Sequence, residues 1–175
     1  FTNLFITPIK KIEIIISLTL TAIIRTLIGL LPVSIFAIPL FGVSIYEIGI
    51  ILFILLMGLH IFGITLGILV SSGLIRFGPA FENIAWATLF LLAPLGCIYY
   101  PLEILPEWLQ VISKLLPLVH IFEEMRNILI YDMIDYIQIF KAILISLLYF
   151  IFGILVFYLS YAGAKIRGTL INMGE

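Results

Sequence analysis

The sequence predicts an all-α, polytopic membrane protein with four transmembrane helices and a short extracytoplasmic re-entrant helical hairpin. Three observations predict it. Of the 175 residues, 63% are hydrophobic and 11% are charged. A water-soluble domain averages about 45–50% apolar and about 25% charged residues, and no soluble fold of this length has enough interior to hide the surplus. Four apolar runs each reach the roughly 20 residues a helix needs to cross about 30 Å of hydrocarbon. Most of the lysines and arginines that flank these runs fall on one side, as the positive-inside rule requires. Helices are the spanning element, because every backbone N–H and C=O must be paired within its own segment. Strand barrels would show short alternating segments, and none occurs.

Residues 1–11 precede the first run and carry Lys10 and Lys11. No charged n-region or small-residue cleavage site marks a signal peptide. The start at Phe1 rather than Met reads as that of a fragment. The first span is expected over residues 12–41, interrupted by Pro32 and Pro39. At 30 residues it is long for one straight crossing, so it either tilts, kinks at Pro32, or lies partly in the interface. Arg25 lies about 13 residues after its start. It is either an intramembrane cation, which costs at least about 2.5 kcal/mol and marks function, or an interfacial one that snorkels.

The second span is expected over 48–70. His60, near its middle, either lines a pathway or bonds the carbonyl of a neighbouring helix, and the structural role is favoured. Gly63, Gly67 and Ser71 form a small-xxx-small series on one face, the pattern of a helix-packing surface within the chain or between chains. Arg76 follows in a loop, the third span is expected over 79–100, and the fourth over 138–162, with Lys165 and Arg167 after it. Lys141 lies just inside the last span and is expected to snorkel outward. Both ends, including the tail 163–175, are then cytoplasmic.

Between the last two spans, residues 101–135 are not a simple loop. Pro106 and Glu107 read as a helix start. Trp108, Val111, Ile112 and Leu115 share one face. Pro117 breaks this helix and starts another, whose apolar face is read as Val119, Phe122, Met125 and Leu129, with Arg126 beside them. Glu123 and Arg126 are spaced to pair on one helix face. Two helices of about 10 residues are too short to span, so they form a hairpin that dips into the outer leaflet or lies on it. Tyr99, Tyr100, Trp108, Tyr131 and Tyr136 fit an aromatic belt there. His120 is read as a surface histidine. The plain alternative is an amphipathic hairpin with only a packing role.

Several chemistries are excluded or unsupported. A net charge of −1 with no basic block gives no footprint for nucleic acid. A single cysteine, Cys97, forms no internal disulfide, and no Cys/His spacing fits a metal. No nucleophile–base–acid set is visible, so no catalytic residue is assigned. An intramembrane lipid-modifying enzyme would need several ionisable groups at matching depth, whereas the runs offer only Arg25 and His60. A structural or assembly membrane protein is a third reading.

The stretch 94–120, with Pro94, Tyr99, Tyr100, Pro101, Glu103, Pro106, Trp108, Pro117 and His120, followed by Glu123 and Arg126, resembles the signature of ABC-2 type permeases. The segment running through Thr7, Pro8, Lys10, Lys11 and Glu13 is similar to that family's cytoplasmic Thr-Pro segment, which follows the second span. Leu116 stands where an asparagine is common, and Tyr99-Tyr100 where small residues are often found. The resemblance implies the membrane subunit of an ATP-binding-cassette exporter, with the four runs as spans three to six of six. It also implies a separate ATPase subunit holding ATP and Mg, because no Gly-x-x-x-x-Gly-Lys-Ser/Thr loop occurs here. It further implies a second permease chain, identical or different, and a prokaryotic plasma membrane. Thr7, Pro8, Lys10, Lys11 and Glu13 would then couple to the ATPase, and Pro101, Glu103, Pro106, Trp108, Pro117 and Arg126 would build the hairpin. The exported cargo stays open among lipid, glycan, drug and peptide.

Overall fold

The computed structural model describes residues 11–42 and 49–167, and among them every regular element is helical. Six α-helices follow in order: α1 (Lys11–Phe41), α2 (Ile50–Phe77), α3 (Phe81–Leu95), α4 (Glu107–Ser113), α5 (Pro117–Tyr131) and α6 (Tyr136–Arg167). Residues 1–47 form one compact unit and residues 48–175 another.

In the first unit α1 runs unbroken for 31 residues, with Pro32 and Pro39 inside it. Each proline removes one backbone donor, which leaves a carbonyl a turn earlier without its usual partner. The Ser34 hydroxyl donates to the Leu31 carbonyl at 2.8 Å, and so bonds main chain beside the first of these gaps. Gly42 closes the helix at φ 68, its N–H on the Ile38 carbonyl. A left-handed residue that satisfies a last-turn carbonyl is the usual way a helix stops. The stretch Leu20–Leu40 is long and apolar enough to cross a membrane, and Arg25 lies exposed within it.

In the second unit α2 and α6 are the other two helices of spanning length and composition, over Ile50–Phe77 and Tyr136–Ala164. They lie side by side and run in the same direction. Near the start of the seam Leu55 joins Ile139 and Ala142 in one buried cluster. Further along, Phe62 meets Tyr149 edge-on with ring centroids 5.5 Å apart, and Gly153 lies against Thr65. Two glycines let the backbones approach. A Cβ on Gly58 would stand 3.1 Å from Ile143 Cδ1, and one on Gly153 would stand 3.1 Å from Thr65 Cγ2. The polar groups in this seam, Thr65 and Ser146, return their hydroxyls to carbonyls four residues back, as does the buried Ser72 further along α2, so none is stranded.

Two parallel neighbours require the chain between them to travel back once. α3 makes that return. It leaves α2 through a tight turn at Gly78, φ 77, where Phe77 stacks on Phe81 with centroids 5.8 Å apart. The Phe81 ring lies directly over Gly73, where any side chain would collide with it. At its far end α3 meets α5, and α5 packs on the opening turns of α2 and α6. Ile121 of α5 is fully buried in the Leu55–Ile139–Ala142 cluster. Burying a side chain of that size is worth about 1.5–3 kcal/mol.

The third apolar run is shorter than the sequence predicts. The expected span over 79–100 is a helix of 15 residues that ends at Leu95. At 1.5 Å per residue it is about 22 Å long. Pro94 lies in its last turn, and the following turn takes Gly96 N–H to the Leu92 carbonyl at 2.7 Å and Cys97 N–H to that of Pro94 at 3.2 Å. Cys97 sits at φ 53, a left-handed conformation that ends α-helical propagation.

Candidate functional site

The polar side chains that hold each other away from water lie in the segment 94–139, so the site is built there. Pro101 opens it in an extended conformation, and a short 3-10 turn over Leu102–Ile104 carries Glu103 outward. Pro106 precedes α4, and its carbonyl accepts from Leu109 and Gln110 N–H. Gln110 Nε2 also donates to the Leu105 carbonyl at 2.8 Å, which clamps the helix start. α4 turns Trp108, Val111, Ile112 and Leu115 outward, all four exposed. The face expected from the sequence therefore exists, and it faces away from the rest of the unit.

Pro117 occupies the first turn of α5, where a missing N–H costs nothing, and Leu116 before it is extended at ψ 134. The face that α5 buries carries Pro117, Val119, His120, Ile121, Glu124 and Ile128. The sequence reading is corrected here by about one step around the helix. Phe122, Met125 and Arg126 are only partly buried, and Leu129 is exposed. Hydropathy alone misplaced the face because it counts His120 and Glu124 as outward-facing, whereas both are inside.

Glu123 and Arg126 pair at 2.6 Å, as their spacing predicted, and the pair does more than brace one helix. Glu123 Oε1 also accepts the Leu102 N–H at 2.8 Å. Arg126 Nη2 donates to the Cys97 carbonyl at 3.1 Å. One ion pair thus fastens α5 to both the turn that ends α3 and the 3-10 turn after it. Tyr100 adds a bond from its hydroxyl to the Pro94 carbonyl at 2.7 Å.

The other end of α5 is fastened through Glu124. Its Oε1 accepts the Asp135 N–H at 2.8 Å. Asp135 in turn caps α6, its Oδ1 accepting from Ile137 N–H at 2.9 Å and Gln138 N–H at 3.3 Å. This is the N-cap arrangement, and aspartate just before an apolar run is its usual signal. Asp132 ends α5 at φ 53, its N–H on the Ile128 carbonyl. Burial pushes the Glu124 carboxyl above its ordinary value, and the Asp135 charge pushes the same way. The Asp135 N–H and the Asn127 side chain act in the opposite direction. Glu124 is 0% exposed, hidden by the chain immediately around it.

His120 is a correction. It is 9% exposed, not a surface histidine, and its Nε2 lies 2.9 Å from the Lys114 carbonyl. The i+6 loop-closing bond that buries it has no signature in the sequence. Three buried side-chain atoms of the described residues have no hydrogen-bond partner: Ser113 Oγ, His120 Nδ1 and Glu124 Oε2. All three belong to the α4–α5 hairpin.

The remaining candidates fall elsewhere. His60 is partly buried on α2 and bonds its own helix, Nδ1 on the Leu56 carbonyl at 2.9 Å, rather than a neighbouring one. Gly63 and Gly67 meet nothing within 4 Å, and the α2–α6 seam uses Leu55, Gly58, Phe62 and Thr65 instead. Ser71 returns its hydroxyl to Gly67. Thr7, Pro8 and Lys10 lie outside the described residues, and Lys11 and Glu13 fall in the first turn of α1, their side chains outside the description. Among the described residues no group of three His, Cys, Asp or Glu side chains could hold a metal ion. The arrangement supplies mechanical linkage: a hairpin fixed to α3 on one side and to α2 and α6 on the other.

No curated protein and no solved structure matches the chain. A family model does: the one for the ABC-2 type transporter matches residues 1–130, which takes in the Thr-Pro segment, the first two apolar runs, α3 and nearly all of the braced hairpin. The helical architecture, the spans of membrane-crossing length and that match agree, and the chain belongs to the ABC-2 type transporter family.

Proposed function

We propose that this chain is the membrane-spanning permease subunit of an ATP-driven exporter, that it forms the substrate pathway with a second permease chain, and that a separate ATPase subunit drives it. The family membership supports a transporter membrane domain. The observation that carries the mechanical part is the double fastening of α5, by Arg126 to the Cys97 turn and by Glu124 to the start of α6.

The hairpin fits a re-entrant position. Ile121 reaches Leu55, Gly58 and Ala142, which lie about one and a half to two turns inside α2 and α6 rather than at their tips. α3, about 22 Å long, falls short of the roughly 30 Å hydrocarbon core, so its Cys97 turn would end below the outer surface. Non-helical backbone at that depth is tolerated only when protein covers it. The bonds from Leu102 to Glu123 and from Arg126 to Cys97 provide that cover.

Nucleotide binding in the partner ATPase would push on Thr7, Pro8, Lys10, Lys11 and Glu13, and the spans would switch between two packings. ATP must bind one packing better than the other for this to happen. Co-purification with the partner ATPase tests the reading, with the wild type compared to Pro8→Ala and Glu13→Ala. Loss of association, or of stimulated ATP hydrolysis, supports coupling. Variants that keep both would overturn it.

A further inference from the structure

The α4–α5 hairpin holds the three unpartnered buried atoms, and two of them complement each other. His120 Nε2 bonds a carbonyl, that of Lys114, so this nitrogen carries a hydrogen. In the neutral ring Nδ1 is then a bare acceptor, and nothing in the structure donates to it. One turn further along α5, Glu124 uses Oε1 for the Asp135 N–H and leaves Oε2 without a partner. Residues at i and i+4 lie about 5–6 Å apart at Cβ on the same face. The two unpartnered atoms therefore belong to one face of α5. Ser113, also 0% exposed and unpartnered, directly precedes the Lys114 carbonyl that anchors His120 and belongs to the same hairpin.

Without a proton, Glu124 Oε2 and His120 Nδ1 are two buried acceptors, and neither can satisfy the other. A single proton changes the arrangement. On Glu124 Oε2 it makes that oxygen a donor to His120 Nδ1 and removes the net charge of an isolated buried carboxylate. We propose that Glu124 and His120 form a buried proton-binding site that holds one proton between them, and that this proton keeps α5 closed against the start of α6.

The surroundings favour the protonated state. Burial and the Asp135 charge both disfavour an ionised Glu124. Ile121, which lies between His120 and Glu124 on α5, packs with Leu55 of α2 and with Ile139 and Ala142 of α6, none of which is charged. On α5 itself the nearby charges, Glu123 and Arg126, neutralise each other and bond toward the α3 turn. Lys114 of the α4–α5 turn is exposed, as is Lys141 of α6. The carboxyl therefore has no cation beside it to hold it ionised.

Losing the proton strengthens the bond to the Asp135 N–H but leaves a buried charge that this N–H and the Asn127 side chain offset only in part. Water reaches that charge only when α5 parts from the start of α6. The closed hairpin is thus the acid form, and raising the pH loosens the α5–α6 corner. This inference stands on the packing of α4, α5 and α6 and does not depend on the permease reading.

Hydrogen exchange of the full chain in lipid nanodiscs, followed in peptides covering residues 128–139 and corrected for intrinsic exchange, tests it. Wild-type protection should fall on the order of tenfold between about pH 5.5 and about pH 8.5. Glu124→Gln keeps the acceptor for Asp135 and presents a permanent donor toward His120, so it should stay protected at both values. Infrared spectra of the wild type give a second readout that needs no variant: a carboxylic-acid C=O band should persist at neutral pH, where exposed carboxyls are ionised. Wild-type protection that ignores pH, a variant that tracks the wild type, or a missing band would each overturn the proposal.

Discussion

Arg126 donates to the main-chain carbonyl of Cys97, 29 residues earlier, across a gap of 3.1 Å. The same guanidinium holds Glu123 at 2.6 Å, and both side chains are about four-fifths buried, so the bonds are sheltered from solvent. Arg126→Ala should lower stability by about 1–3 kcal/mol, because it strands a carbonyl and a partly buried carboxylate together. Arg126→Lys should recover only part of this, since one ammonium cannot reproduce the planar fork. Thermal unfolding in detergent, with all three proteins at one pH, measures the loss. A wild-type midpoint in Arg126→Ala would show that the tie carries nothing.

Gly58 and Gly63 lie on different faces of α2 and should answer to substitution in opposite ways. A Cβ on Gly58 would stand 3.1 Å from Ile143 and 3.3 Å from Ile121, whereas one on Gly63 would meet nothing. Overpacking a tight core contact costs typically about 1–3 kcal/mol. Gly58→Leu is expected to lower the unfolding midpoint by that much, and Gly63→Leu to leave it unchanged. If Gly63→Leu nevertheless abolishes transport or association with another chain, the Gly63–Gly67–Ser71 face is a docking surface for a helix outside this unit.

Asp135 caps α6 with two N–H bonds. Asp135→Ala should cost about 0.5–2 kcal/mol, and Asp135→Asn much less, because asparagine caps nearly as well. The Glu124 bond uses the main-chain N–H of Asp135 and survives either change. Circular dichroism melts of both variants separate the cap from that bond: equal losses in the two would mean that the carboxylate charge matters and the cap does not.

Glu124 also sets a pH dependence of stability. Unfolded, it titrates near its ordinary 4.5; folded, burial and the Asp135 charge let it hold its proton to a higher pH. The folded chain therefore binds more protons between those two values, and stability falls as the pH rises through them. The contribution is complete below about 4.5 and is lost above the raised value. Glu124→Gln cannot ionise, so its unfolding midpoint should match the wild type in acid and exceed it at alkaline pH. Parallel curves for the two proteins across that window would exclude Glu124 as the source.

The membrane class, the helical content and the presence of two short helices between α3 and α6 were legible in the sequence, because composition, run length and proline spacing act locally. Pro106, Pro117 and the Glu123–Arg126 spacing were legible too, since each acts within a turn or two of itself. The extent of α3 was less so. A run of apolar residues over 79–100 does not reveal that the chain leaves the helix at Cys97, where Arg126 and Glu123 receive the released backbone.

What the sequence by itself determined is the solvent and the list of helices. What only the tertiary structure decided is which neighbours meet: that α2 and α6 run parallel, that their seam passes through Gly58 and Gly153 and not through Gly63 and Gly67, and that His120 and Glu124 are inside. The physical reason is that local periodicity records how apolar a face is and not what covers it. A histidine and a glutamate count as outward-facing until a carbonyl six residues back and an amide eleven residues on hold them in.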